Sequence, residues 1–276
     1  MTNLFNYIPK DSPVHKLTGA TKLAALLLLS FASMTTFDTR FLACITVLTF
    51  VMFGVSKIRF REVKTLLWFT FVFMVLNNLL IYLFEPEQGV ILYGTRHEIA
   101  HLFGRYTVTK EQLFYHLNLV LKYLATIPIV LLFVCTTQPS EFAASLNRIG
   151  VSYSIAYSVS LALRYIPDIQ REFHEISQAQ QARGIEMSKK QSLVKRLKSA
   201  GAILIPLILS SMDRIEVISN AMLLRGFGKN KKRTWYMGRP FRKWDILAMM
   251  LCALLLAASV WLNARNGGRF WNPFLA

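Results

Sequence analysis

Five apolar runs, each bounded by basic or turn-forming residues, set the first limit on what this chain can become. A helix needs about 20 apolar residues, and no fewer than about 17, to cross the hydrocarbon of a bilayer. The first run extends from Gly19 to Phe37. The second, from Phe41 to Val55, is short and needs its flanks to complete a crossing. The third, Thr65 to Phe84, is interrupted only by Asn77 and Asn78. The fourth, Leu113 to Cys135, carries His116, Asn118, Lys122 and Pro128, which are costly in lipid unless turned toward protein, so an inner helix is expected. The fifth, Ile246 to Leu262, is bracketed by Trp244 and Trp261, amphipathic rings of the kind that mark membrane surfaces. No small-residue cleavage site follows the first run, so it is expected to remain as a span rather than to be removed as a signal peptide.

Composition agrees with this reading. A hydrophobic fraction of 54% with 17% charged residues departs from a soluble enzyme, and 20 Phe exclude disorder despite a net charge of +17. Such a positive excess points to nucleic acid or to a membrane, and the positions of the cations decide between them. With the N-terminus inside, inner segments hold 25 Lys and Arg and outer segments 6, with Lys122 inside a span. The asymmetry predicts an N-in, C-out topology and a basic face on the anionic inner leaflet, with no nucleic-acid partner. Cys44, Cys135 and Cys252 stand singly in apolar runs and are expected to act as small packing residues.

The expected fold is therefore an all-α polytopic membrane protein with about five transmembrane helices and long cytoplasmic helices. Residues 1–136 form a membrane domain of four spans, 137–243 a cytoplasmic helical domain, and 244–276 the last span with an outer tail. The cytoplasmic stretch is too long for an ordinary loop. Its first helix runs from Pro139 to Gly150, with Pro139 and Ser140 opening it and Glu141 in its first turn. A second, from about Ser152 to Gly184, places small residues on two ridges, Ser152, Ala156, Ser160 and Ser154, Ser158, Ala162, which would let another helix approach closely. Pro167 predicts a kink or a break. A third helix, from about Ser188, contains the apolar run Ser199 to Met212, too short to span and expected to be buried or interfacial.

The second and third helices finish alike, in Gln181-Ala182-Arg183-Gly184 and Leu224-Arg225-Gly226-Phe227. The plain reading is a C-cap, with Gly in the left-handed conformation and a cation complementing the helix dipole. The functional reading is a pair of protruding tips, each placing a guanidinium in an acidic groove of a partner. Spacing alone leaves both open.

These residues resemble the transmembrane T component of energy-coupling factor (ECF) transporters, the EcfT/CbiQ-like family. The resemblance covers essentially the whole chain. It starts at Ser12-Pro13-Val14-His15-Lys16-Leu17 and Thr21-Lys22-Leu23. It continues through Thr136-Thr137-Gln138-Pro139-Ser140-Glu141-Phe142 and Leu163-Arg164-Tyr165-Ile166-Pro167, and ends with the paired tips. Gly19 stands where the family usually has Pro, and Leu224 replaces the Ala of the second Ala-Arg-Gly. The resemblance implies a non-catalytic scaffold in a bacterial or archaeal cell membrane. It would link two ABC-type ATPase subunits to one small substrate-binding S component, for uptake of a vitamin or a transition-metal ion. Ala182, Arg183, Gly184, Leu224, Arg225 and Gly226 would contact the ATPases, and Pro13, His15, Lys22, Arg164 and Pro167 would be structural. No cofactor would be bound by this chain. ATP and Mg would belong to the partner ATPases, in keeping with the absence of a GxxxxGK[ST] loop from the sequence.

One motif points elsewhere. His97-Glu98-Ile99-Ala100-His101 is an HExxH, which on a helix presents two imidazoles to zinc with the Glu as general base. The alternative function is thus a membrane zinc metalloprotease. Gly104 extends the longer pattern, but Thr107 stands at its third ligand, leaving Glu111 or His116 to supply one. The plainer expectation is a solvated helix in an outer loop, with His15 and His116 as capping or packing groups.

Overall fold

Side-chain caps define where two of the first three helices begin. The computed structural model describes residues 7–103, 106–185, 193–229, 234–235 and 238–275. Ser12 accepts from the His15 amide to cap α1 (Pro13–Lys16), which has Pro at its first position. After α2 (Gly19–Thr35), Asp38 accepts from the Arg40 amide at 3.0 Å to start α3 (Thr39–Val55). A short turn through Lys57 leads to α4 (Phe60–Phe84), followed by α5 (Gln88–Tyr93). Strands β1 (Glu98–Phe103) and β2 (Tyr106–Thr109) pair antiparallel, and Thr109 then caps α6 (Lys110–Thr136). The remaining helices are α7 (Pro139–Arg148), α8 (Tyr153–Ala182), α9 (Leu193–Leu224) and α10 (Lys243–Arg265), with a 3-10 turn at Pro273–Leu275.

The five apolar runs coincide with α2, α3, α4, α6 and α10. Of these, α4, α6 and α10 are long and apolar enough to cross a membrane unaided. Helices α2 and α3 have 17 residues each, about 26 Å of rise against a hydrocarbon core of about 30 Å. Much of the apolar surface of α4 is exposed, including Trp68, Phe69, Phe71, Val72 and Phe73, while Val63, Leu66 and Leu67 pack inward, a pattern suited to lipid rather than water. The chain is an all-α polytopic membrane protein whose only described strands form that one small hairpin.

Two compact units are present: residues up to Gln138 together with those from Arg239, and Pro139–Gly238. In the first, α6 is the inner helix, packed against α2, α3, α4 and α5. Its polar residues meet protein. Asn118 is fully buried between Thr39 and Tyr93, and His116 bridges Gln112 and Asn78 of α4. Lys122 donates to the Met34 carbonyl and lies over the Phe37 ring. Leu29, Ala32, Phe41, Ile45, Ala125, Ile129 and Cys252 form one core, with α10 packed against α2. The C-terminal segment folds back on this unit: Phe37 N–H donates to the Arg269 carbonyl at 2.7 Å, and Asn272 Nδ2 to the Tyr93 carbonyl.

Several expectations are corrected. The HExxH segment is extended, not helical: Glu98 to Phe103 is β1. Four residues along a strand cover about 13 Å, so the His97 and His101 imidazoles cannot share one metal ion. His97 instead holds Glu111, through Nδ1 to Oε1 at 2.6 Å and its amide to Oε2 at 3.1 Å. No group of three or more potential ligands suited to a metal occurs among the described residues, and the metalloprotease reading is not supported. Gly104 lies outside the described residues.

Pro167 does not break α8, which runs unbroken through it, as α9 does through Pro206. The expected start of the third helix at Ser188 lies outside the described residues. The Ser199–Met212 run is neither wholly buried nor a separate element. Ile203 and Leu207 are buried within α9, whereas Leu204, Ile205, Ile208, Leu209 and Met212 are exposed. Cys44 is exposed on α3, unlike the buried Cys135 and Cys252.

Candidate functional site: two arginine tips

Both long helices of the second unit stop in the same way. At the end of α8 the Gly184 amide donates to the Gln181 carbonyl and the Ile185 amide to that of Gln180, each at 3.0 Å. At the end of α9 the Gly226 amide bonds Leu223 and the Phe227 amide bonds Met222, each at 2.9 Å. These are two Schellman caps, and they require the left-handed φ of +81° at Gly184 and +66° at Gly226. A side chain at either glycine would strain the cap. The C-cap reading therefore holds for both motifs, and it leaves Arg183 and Arg225 exposed on the last turn. Leu224 is 89% exposed, an unusual state for a leucine.

Helices α8 and α9 pack antiparallel along their length. Arg214 Nη2 donates to Glu172 Oε2 at 2.8 Å, and the Ser210 hydroxyl bonds the other oxygen of the same carboxylate. Gln180 Nε2 donates to the Ala202 carbonyl at 3.2 Å. Toward the other end the Phe227 ring lies 4.7 Å from that of Tyr157. These contacts place the two tips at opposite ends of the pair. Each tip arginine is eleven residues beyond its helix's half of the ion pair, Arg183 from Glu172 and Arg225 from Arg214. Eleven residues make about three turns and 16 Å, so each arginine shares a helix face with its half of the pair and the tips stand roughly 33 Å apart.

The fastening differs between tips. The Arg183 arm has polar fixings, Gln180 and Glu172, on either side of the buried Ile203 and Leu207 of α9. The Arg225 tip is held by rings: Phe227 on Tyr157 and Tyr153, Tyr153 on Trp235, and Trp235 Nε1 bonded to Asn147 of α7 at 3.1 Å. Helix α7 packs on α8, with Ala156 of the small-residue ridges fully buried, whereas Ser154, Ser158 and Ala162 remain exposed. Arg164 and Pro167 are exposed on α8.

In the first unit the structure joins the N-terminal motif residues. Pro13 opens α1, and His15 bonds Ser12 Oγ at 2.7 Å and the Ile8 carbonyl at 3.0 Å. Because a carbonyl only accepts, Nε2 carries the proton and Nδ1 accepts from Ser12. Burial, the largest influence on His15, lowers its pKa below the usual histidine value. Lys22, on the first turn of α2, donates to the Thr136 carbonyl at 2.8 Å and so satisfies the last turn of α6.

Sequence reasoning missed Asp245. This buried carboxylate at the start of α10 accepts from the Thr18 amide and the Thr21 hydroxyl at the start of α2, and from the Arg242 amide of its own helix. It also missed Glu172 and Gln180. Their spacing from Arg183 put them on one face of α8, but no local signal identified Arg214 or Ala202 as partners.

The sequence model of the CbiQ family, described as cobalt transport protein, matches residues 10–236. The energy-coupling factor transporter transmembrane protein EcfT of Thermanaerovibrio acidaminovorans is 30% identical over 96% of this chain and 97% of its own length. That of Heliobacterium modesticaldum is 31% identical over 84% of this chain and 86% of its own, and that of Bacillus subtilis is 24% identical over 94% and 97%. A family match across most of the chain, together with relatives aligned almost end to end, agrees with the apolar helices and paired tips: the chain belongs to the EcfT/CbiQ family of transmembrane components of energy-coupling factor transporters.

Proposed function

We propose that this chain is the energy-coupling scaffold of an ECF-type importer. It passes ATP-driven motion of two cytoplasmic ATPase subunits to a small membrane S component that carries a vitamin or a transition-metal ion. The observation that carries this reading is the pair of exposed arginines, alike in cap geometry and roughly 33 Å apart at the two ends of one antiparallel helix pair. Two equivalent cationic tips suit two similar partners, each offering an acidic groove. The exposed small residues Ser154 and Ser158 would admit a close-packed helix of a further partner. Cobalt, in the family's description, is one candidate cargo among these classes. In this reading the chain binds no nucleotide; ATP and Mg sit on the ATPases. On the same reading the N-terminus and the second unit are cytoplasmic and the C-terminus is outside, the orientation that the 25 to 6 division of cations favours.

The test is purification of the assembled transporter carrying Arg183→Glu and Arg225→Glu. Release of both ATPases, with the membrane unit still intact, is expected. Full retention of the ATPases with undiminished coupled transport would remove the tips from the mechanism.

A further inference from the structure

The Glu172 carboxylate, bonded at once by Arg214 and Ser210, lies midway between the two tips, eleven residues from Arg183 along α8 and, through Arg214, eleven residues from Arg225 along α9. We propose that this node is a register pin: it fixes the sliding position of α8 against α9 and so makes the two tips move as one body.

The rest of the interface explains why a pin is needed. Toward the Arg225 end the facing residues are Leu161, Ala162 and Tyr165 against Ile218, Ser219 and Met222, around an open cavity of about 290 Å³. Apolar contacts are non-directional, and an interface with unfilled volume resists displacement along the helix axes weakly. A half-buried ion pair with directional hydrogen bonds does the reverse. Glu172 is 16% exposed in its side chain, and a slip of one turn, about 5 Å, would separate it from both Arg214 and Ser210. Gln180 supplies a second fixing point. Pro206 has no amide proton to give Ala202, four residues earlier, and the Gln180 side chain fills that place from the other helix. Register is thus held by polar contacts on the Arg183 side of the centre and by the Phe227 ring at the far end. Glu172 and Arg214 are positioning residues. They touch no nucleotide and no cargo.

The inference rests on the reading of Arg183 and Arg225 as partner-binding tips, and its test is independent of that reading's own. In the assembled transporter in nanodiscs, with Cys44 replaced by Ala, spin labels are placed outside the tips, at the exposed Gln178→Cys and Asn220→Cys near the ends of α8 and α9, and the distance distribution between them is recorded with ADP and with ATP and vanadate. The unaltered pair is expected to give the same narrow distance in both states, and a distance that changes by a helical turn between them would overturn the pin. Glu172→Arg and Arg214→Glu should each broaden the distribution or shift it by about one helical turn, ~5 Å, and the double exchange E172R/R214E should restore the single narrow distance. Single variants that keep the unaltered distribution overturn the pin, as does an exchange no narrower than the singles. Failure of the tip reading shows separately, as ATPases retained by the Arg183→Glu, Arg225→Glu protein.

Discussion

The side chain of Gln180 donates to the main-chain oxygen of Ala202 at 3.2 Å, the oxygen that Pro206 leaves without its helical partner. A proline inside a helix removes one i to i−4 bond, and the freed carbonyl must find another donor. Here that donor comes from the helix carrying the first arginine tip. Gln180→Ala is therefore expected to cost about 1 kcal/mol in the native background, the net worth of one such bond. In a Pro206→Ala background the amide restored at that position would serve the Ala202 carbonyl, and the same change should cost almost nothing. A double-mutant cycle on thermal unfolding in detergent reads the difference directly. Equal costs in both backgrounds would show that the proline and the glutamine act independently.

The second tip depends on rings. Phe227 follows Gly226 and lies 4.7 Å from Tyr157 and 6.0 Å from Tyr153, centroid to centroid. Aromatic pairs of this kind contribute about 0.5–1.5 kcal/mol beyond their buried area. Phe227→Ala should free the last turn of α9 while the Arg183 end keeps its polar contacts. Amide exchange is expected to quicken from Ala221 to Gly228 and to stay unchanged from Gln180 to Ile185. Equal loosening at both ends would mean that the two tips share one fastening.

The apolar helices and the caps were legible because both are written locally. Run length, Pro139 and Ser140 at a helix start and an Arg-Gly after a helix each act within one or two turns, and the observed helices start and stop close to where those signals lie. Even the departures have local causes. The HEIAH segment has helical spacing in its polar residues, but Ile99 with Tyr106, Thr107, Val108 and Thr109 favours extended pairing, and the hairpin prevailed. Pro167 signals a break by its chemistry, yet α8 is carried through by packing on both sides of it. What could not be read was long-range polar pairing. Asp245 meets Thr18 across more than two hundred residues, and Glu172 meets Arg214 across forty-two. Nothing in the neighbourhood of either carboxylate names its partner.

Asp245 is the clearest such case for stability. Removing its carboxylate by Asp245→Ala would strand the Thr18 amide at the buried start of α2 and the Arg242 amide, and would leave the Thr21 hydroxyl only Thr18 Oγ1 as a partner. Unsatisfied buried groups cost about 1–3 kcal/mol each, with part of that relieved by water, so a loss of about 2–4 kcal/mol is expected. Asp245→Asn keeps one acceptor oxygen and should lose less than half as much. Thermal midpoints of the three proteins in one detergent check the order, and an alanine variant as stable as the parent would show that α2 and α10 are held by apolar packing alone.

His15 gives a pH dependence with a defined sign. Burial is the largest influence on it and lowers its pKa; the Ile8 carbonyl opposes this, nearby Lys22 and Lys10 add to the lowering, and Asp11 weakly opposes it. The folded value thus lies below the unfolded one of about 6.5. Between the two the unfolded chain binds more protons, so the stability contributed by neutral His15 is complete above about pH 6.5 and declines as pH falls through the folded value. Protonation would also turn Nδ1 from acceptor to donor and leave the Ser12 hydroxyl to reorient. The thermal midpoint of the parent is expected to fall between pH 7 and pH 5, and His15→Gln, which bonds but does not titrate, should fall less over the same range. Parallel curves for the two proteins would assign the acid sensitivity to other groups.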